Sequence, residues 1–155
     1  MKREIKLISD FNFELFYNFL NNQLDDKFYK IFKPNYEPFS SSCYNIINSN
    51  SKTHTIIAWS RIEKVIKEFS NLIEHNKFNR KKLNKELDDY IGLILRLSEK
   101  TEHLVVTSWH LPLMEKGYYL KDLTNDLGAS KNLNIINAKL AEEFKKRSNI
   151  NFFNI

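Results

Sequence analysis

The sequence predicts an α/β protein, a three-layer α/β/α sandwich around five mostly parallel strands in the order 2-1-3-4-5, with the first strand central. Three observations predict it. Along the 155 residues the apolar positions alternate between the period of a strand and that of a helix. The first, third and fourth strand segments are apolar enough to be buried inside a sheet. A short polar turn, Ser9-Asp10-Phe11-Asn12, then joins the first strand directly to a helix, which is the opening half of a βαβ unit.

The first strand is Glu4 to Ile8, rich in β-formers. Asp10 or Asn12 is placed to cap the helix that follows, whose inner face reads Phe13, Phe16, Tyr17, Leu20 and Leu24. A turn at Asp25-Asp26-Lys27 leads to a second strand, Phe28 to Phe32, stopped by Pro34 and Pro38. The stretch from Asn35 to Thr53 reads as a long polar connection, with one helical turn at Tyr44, Ile46 and Ile47. His54 to Trp59 is the third strand. Ile62, Val65, Ile66, Phe69, Leu72 and Ile73 then keep helical period, and a second helix runs from about Asn79 to Lys100. Gly92 inside it costs roughly 1 kcal/mol against Ala unless close packing uses it. His103 to Ser108 is the fourth strand, ended at Trp109-His110-Leu111-Pro112 and followed by a loop through Gly117-Tyr118-Tyr119. Ser130 is placed to cap a last helix with Leu133, Ile136, Asn137, Leu140, Ala141 and Phe144 inward, and Ile150 to Ile155 is the fifth strand.

Length predicts one domain, residues 1–155. A fifth strand normally feeds a closing helix, so the chain is expected to be a fragment or the N-terminal part of a longer protein. The uncovered edge of that strand predicts a homodimer or a missing covering segment. The net charge of +5 and pI near 9.2 would suit an anionic partner. However, the basic runs Arg80-Lys81-Lys82 and Lys145-Lys146-Arg147 lie on predicted helix surfaces among 19 acidic residues, so no nucleic acid is expected. Cys43 is the single cysteine, which excludes an intrachain disulfide and favours a reducing compartment. No stretch approaches the ~20 apolar residues of a membrane span, and no signal-peptide core precedes the first strand. The expected location is cytoplasmic.

No Gly-rich phosphate loop follows any strand, and metal-ligand spacing is absent. Alternation sends Glu102 and His103 to opposite faces, so no metal or cofactor is expected. What remains is three strand exits that a parallel sheet brings together: Ser9 to Asn12, Trp59 to Glu63, and Thr107 to His110. Ser9, His110 and Asp10 match a nucleophile, base and orienter by type. Asn12, Trp59, Arg61, Ser108 and Trp109 are the candidate ligand contacts. Arg61 suits a phosphate or carboxylate through its planar fork, and equally suits pairing with Glu63. The two indoles fit ligand contact and packing alike.

Three strand ends carry a family resemblance: Ser-Asp-Phe-Asn at Ser9 to Asn12, Ile-Ile-Ala-Trp-Ser-Arg-Ile-Glu at Ile56 to Glu63, and Val-Val-Thr-Ser-Trp-His-Leu-Pro from Val105. With Asn137-Ala138-Lys139-Leu140 before the final strand, the chain resembles the N-terminal domain of FkbH-like proteins. That domain is similar to the flavodoxin-like fold of SGNH (GDSL-type) hydrolases. The resemblance implies a setting in polyketide or surface-polysaccharide biosynthesis. It implies as partners an acyl carrier protein or a HAD-type catalytic domain. Against the SGNH pattern, Phe11 stands where the nucleophilic Ser belongs. The oxyanion Gly, the Asn of the third strand's motif and the Asp-x-x-His base have no counterparts, and the HAD-type Asp-x-Asp motif is absent as well. The expectation is therefore a catalytically degenerate SGNH-like module that binds a carrier- or sugar-linked substrate or a catalytic partner. The alternative is an SGNH-type esterase or deacetylase that uses Ser9, Asp10 and His110.

Overall fold

The structure, a computed structural model, describes residues 2–34, 37–75, 77, 79–111 and 126–154. Pro112, the loop through Gly117 to Tyr119, and Ile155 lie outside the described residues, as do Asn35 and Tyr36. The elements in order are β1 (Arg3–Ser9), α1 (Glu14–Gln23), β2 (Tyr29–Phe32), α2 (Phe39–Ile47), β3 (Thr53–Trp59), α3 (Ile62–Val65), α4 (Lys67–His75), α5 (Arg80–Ser98), β4 (Thr101–Thr107), α6 (Ala129–Phe144) and β5 (Ile150–Phe153). The sheet order is β2-β1-β3-β4-β5 and every neighbouring pair is parallel. This is the flavodoxin-like α/β sandwich that the alternation predicts.

Alternation along the strands divides the interior in two. Ile5 and Leu7 of β1 join Phe13, with Phe16, Tyr17, Leu20, Ile57 and Trp59 packed around them, beneath α1. Ile8, Ile56, Ala58, Leu104 and Val106 point the other way, into the larger core that α2, α4, α5 and α6 cover. One helix on one face and the rest on the other follows from the order. The chain steps outward once, from β1 to β2, and thereafter steps in the opposite direction, and right-handed crossovers then put the later helices on the opposite side. By register, Val105 and Phe153 belong to the α1 face. No helix among the described residues covers that half of the sheet, and Phe153 is 53% exposed.

Three local predictions are corrected. The polar connection contains a full helix, α2, rather than a single turn. Its Phe39, Cys43 and Ile47 are buried at helical spacing, a stripe masked in sequence by the serines and asparagines between them. The helix predicted over Ile62 to Ile73 is broken at Ile66, whose backbone is extended (φ −114°, ψ 94°). The break lets Ile62, Ile66 and Phe69 all reach full burial. The last helix starts earlier than its predicted cap, with Gly128 at the cap position. Asn79, given as the approximate start of this helix, caps α5, its Oδ1 accepting from the Lys81 and Lys82 N–H groups at 3.0 and 3.2 Å.

Candidate functional site

The carboxyl ends of β1 and β3 lie where the strand order reverses, the position at which open α/β sheets bind ligands. A cleft of about 740 Å³ opens there. Its floor is the β1 exit from Ser9 to Asn12, and its walls come from the start of α2 and from α3 and α5. Glu37, Tyr44, Lys64, Glu86, Asp89 and Tyr90 are among its polar lining. With Asp10, the cleft holds four carboxylates against Lys64, so it favours hydroxyl-bearing or cationic groups over a free anion.

Each side chain of the β1 exit is already committed to the fold. Ser9 is buried, and its hydroxyl closes a local turn by accepting the Phe11 N–H at 3.1 Å and donating to the Phe11 carbonyl at 3.0 Å. Asn12 Oδ1 accepts the Glu14 N–H at 2.9 Å and starts α1. Asp10 is held by Arg61. Its Oδ2 accepts the Arg61 backbone N–H at 2.9 Å, its Oδ1 accepts from Nε at 3.1 Å, and Nη2 donates back to the Asp10 carbonyl at 3.2 Å. The guanidinium also sits 5.7 Å from the Phe11 ring centre. The sequence names both residues, but pairs Arg61 with Glu63 or an anionic ligand; Glu63 is the farther neighbour, at 3.9 Å.

His110 does not join this group. It is exposed, with Nδ1 3.4 Å from the Leu111 carbonyl, and it follows β4, two strands from β1. Two inter-strand spacings, about 10 Å, separate β4 from β1, and no hydrogen bond among the described residues joins His110 to Ser9. The indoles are packing elements. Trp59 meets Phe11, Phe13 and Phe16 edge-on at 5.7, 5.4 and 6.0 Å under α1. Trp109 is buried against Tyr90 at 4.6 Å and donates its Nε1–H to Ser60 Oγ at 3.1 Å. Ser108 donates to Asn154 Oδ1 at 2.9 Å, tying the end of β4 to the segment after β5.

Two contributors escape the sequence reading. Asn137 of α6 clamps the backbone of Trp109, accepting its N–H at 3.0 Å and donating to its carbonyl at 2.6 Å. Tyr90 lines the cleft while its buried hydroxyl lies 3.5 Å from Ser60 Oγ, and burial pushes its ionisation far above the ordinary range. In sequence both residues look like ordinary inward positions on a helix.

Among the described residues no three His, Cys, Asp or Glu donors of the cleft lie close enough together to share one ion. Asp10 has both oxygens on Arg61, Glu86 accepts the Glu68 N–H at 2.8 Å, and Glu37 accepts from Asn45 at 2.9 Å. Arg61 already pairs with the Asp10 carboxylate at the end of β1.

Comparison with protein-family models finds no match, and comparison with curated proteins finds none. Among solved structures, the chain is similar to the N-terminal part of the protein BF1531 from Bacteroides fragilis, described as containing a phosphatase domain complexed with Mg. The TM-score is 0.68 at 14% identity, over 99% of this chain and 40% of that chain. The likeness establishes the fold, and this chain corresponds to less than half of the matched one. The SGNH-type reading is corrected on this finding. The matched protein is described by a magnesium-bound phosphatase domain and not as an SGNH or GDSL hydrolase, and the link to an FkbH-like biosynthetic module is correspondingly weak. The Ser9 esterase alternative also meets a hydroxyl closed on Phe11, with no base hydrogen-bonded to it among the described residues. No helix among the described residues is long and apolar enough to cross a membrane.

Proposed function

We propose that this chain is the ligand-binding α/β unit of a larger phosphatase-type protein, with the phosphoryl chemistry carried by a metal-bearing unit outside these residues. The observation that carries this reading is the Asp10–Arg61 closure. A carboxylate at the end of β1 is well placed to attack a phosphoryl group, but here both of its oxygens are engaged by a cation and a backbone N–H. The sequence Asp10-Phe11-Asn12 also lacks the second carboxylate of an Asp-x-Asp pair. The cleft instead supplies the Lys64 ammonium and several carboxylates, a set that grips hydroxyl or amine groups on the organic part of a substrate.

Two features support a partner unit. The matched chain has most of its length beyond the aligned part. The sheet face over Val105 and Phe153, together with the outer edge of β5, presents apolar side chains and ladder groups that a second unit, or a second copy of this chain, would cover.

Incubating the chain with Mg²⁺ and p-nitrophenyl phosphate tests the division of labour. The expected result is no turnover above the buffer rate, with NMR shifts from a library of small polyols and amines clustering at Phe11, Asp89 and Tyr90. Magnesium-dependent hydrolysis that disappears in Asp10→Asn would overturn it and make this chain the phosphatase itself.

A further inference from the structure

At the opposite end of the sheet from the cleft, two imidazoles and a carboxylate meet. His54 of β3 and Glu102 and His103 of β4 bring one donor atom each to within 4.8 Å of one another. Strand alternation alone sets Glu102 and His103 on opposite faces, but at the amino rim of the sheet their side chains converge with His54. The His54 and His103 ring centres are 5.2 Å apart, and His54 Nε2 is 3.8 Å from Glu102 Oε2. We propose that these three residues bind a divalent transition-metal ion of the Zn²⁺ class, bridging β3 to β4.

Three features of the surroundings fit that role. The His54 ring is oriented by Thr55, with Nδ1 and Oγ1 2.8 Å apart. With the proton on Nδ1, the Nε2 lone pair faces Glu102, the arrangement in which a hydrogen bond behind a histidine ligand fixes its tautomer. The buried Thr101 hydroxyl lies 3.1 Å from the His54 carbonyl and 3.0 Å from the His103 carbonyl, so the backbones that carry the two imidazoles are held in register. Asn149 braces the same turn by donating to the Thr101 and Ser98 carbonyls at 3.1 and 2.8 Å.

The donor chemistry sets the ion. Two imidazoles and one carboxylate are the three-ligand set of a zinc site that keeps a fourth position for water. Nitrogen donors select Zn²⁺, Co²⁺, Ni²⁺ or Cu²⁺ over Mg²⁺ and Ca²⁺, which take oxygen ligands. Ligand atoms sharing a tetrahedral ion lie about 3.4 Å apart, given metal–ligand distances of about 2.0–2.1 Å. Closing from 4.8 Å needs side-chain rotation only, since Glu102 and His103 are exposed at the rim.

Isothermal titration of EDTA-treated chain with Zn²⁺, and Co²⁺ absorption as a spectroscopic probe, test the site. The expected result is one ion per chain, tetrahedral Co²⁺ bands in the visible, and no competition by Mg²⁺. His54→Ala and His103→Ala should each weaken binding about tenfold or more while far-UV circular dichroism stays unchanged, and Thr55→Val should weaken it about 10–100-fold by releasing the His54 ring. The control variant carries His75→Ala and His110→Ala together and should bind as the parent does. Absence of saturable binding, binding that survives loss of either His54 or His103, or binding lost in the control would overturn the proposal.

Discussion

Asp10 and Arg61 lock the exits of β1 and β3 to each other through three hydrogen bonds of 2.9, 3.1 and 3.2 Å. The Asp10 carboxylate is 8% exposed and the Arg61 side chain 42%, so the acid depends on its partner more than the base does. Asp10→Ala orphans the Arg61 N–H at the start of α3 and is expected to cost roughly 1–3 kcal/mol, toward the lower end because the guanidinium is solvated. Arg61→Met is expected to cost about 1 kcal/mol. Urea unfolding of both singles and the double variant checks the coupling, and additive effects would show that the two residues stabilise the fold independently.

Asn137 makes a two-point clamp on Trp109, satisfying the N–H and the carbonyl that leave the sheet after β4. Asn137→Ala leaves both groups without that partner and is expected to lower stability by about 2 kcal/mol. Loss of the near-UV dichroism of Trp109 should accompany it, whereas Asn137→Asp should recover only the N–H contact. A stability within error of the parent would mean that water replaces the clamp.

Gly92 lies inside α5, and a Cβ placed on it meets no atom within 4 Å. Among the described residues, the close packing that would justify a glycine is therefore absent. Gly92→Ala is expected to raise stability by about 0.5–1 kcal/mol through the unfolded chain's lost freedom and the better helix propensity. A rise in the urea midpoint at unchanged slope is the check.

Cys43 is fully buried, and burial pushes its thiol from the ordinary value of 9.0 up to about 12. The folded chain therefore keeps the proton at pH values where the unfolded chain has released it. Stability is unaffected below 9.0 and falls as pH rises from there toward 12. Cys43→Ala should flatten that alkaline slope while itself costing stability at neutral pH through the cavity it leaves. An identical slope in the variant would assign the alkaline loss to other groups, Tyr90 first among them.

What the sequence determines by itself is the frame: five strands, their order, and the turn after β1 at the switch point. Hydrophobic period and strand alternation are local properties, and right-handed crossovers leave few ways to assemble them. The same local patterns name Asp10, Arg61, Ser108 and Trp109 as residues at strand exits. Their partners belong to the tertiary structure alone. Arg61 meets Asp10 across 51 residues, Asn137 meets Trp109 across 28, and His54 meets His103 across adjacent parallel strands whose register no local pattern specifies. Helix α2 is hidden for a different reason: polar serines and an asparagine interrupt its buried stripe of Phe39, Cys43 and Ile47, and the stripe shows only when the helix packs on the core. Side-chain type and spacing determine which groups are available to a site. Only the packing of the elements decides whether those groups face a ligand or one another.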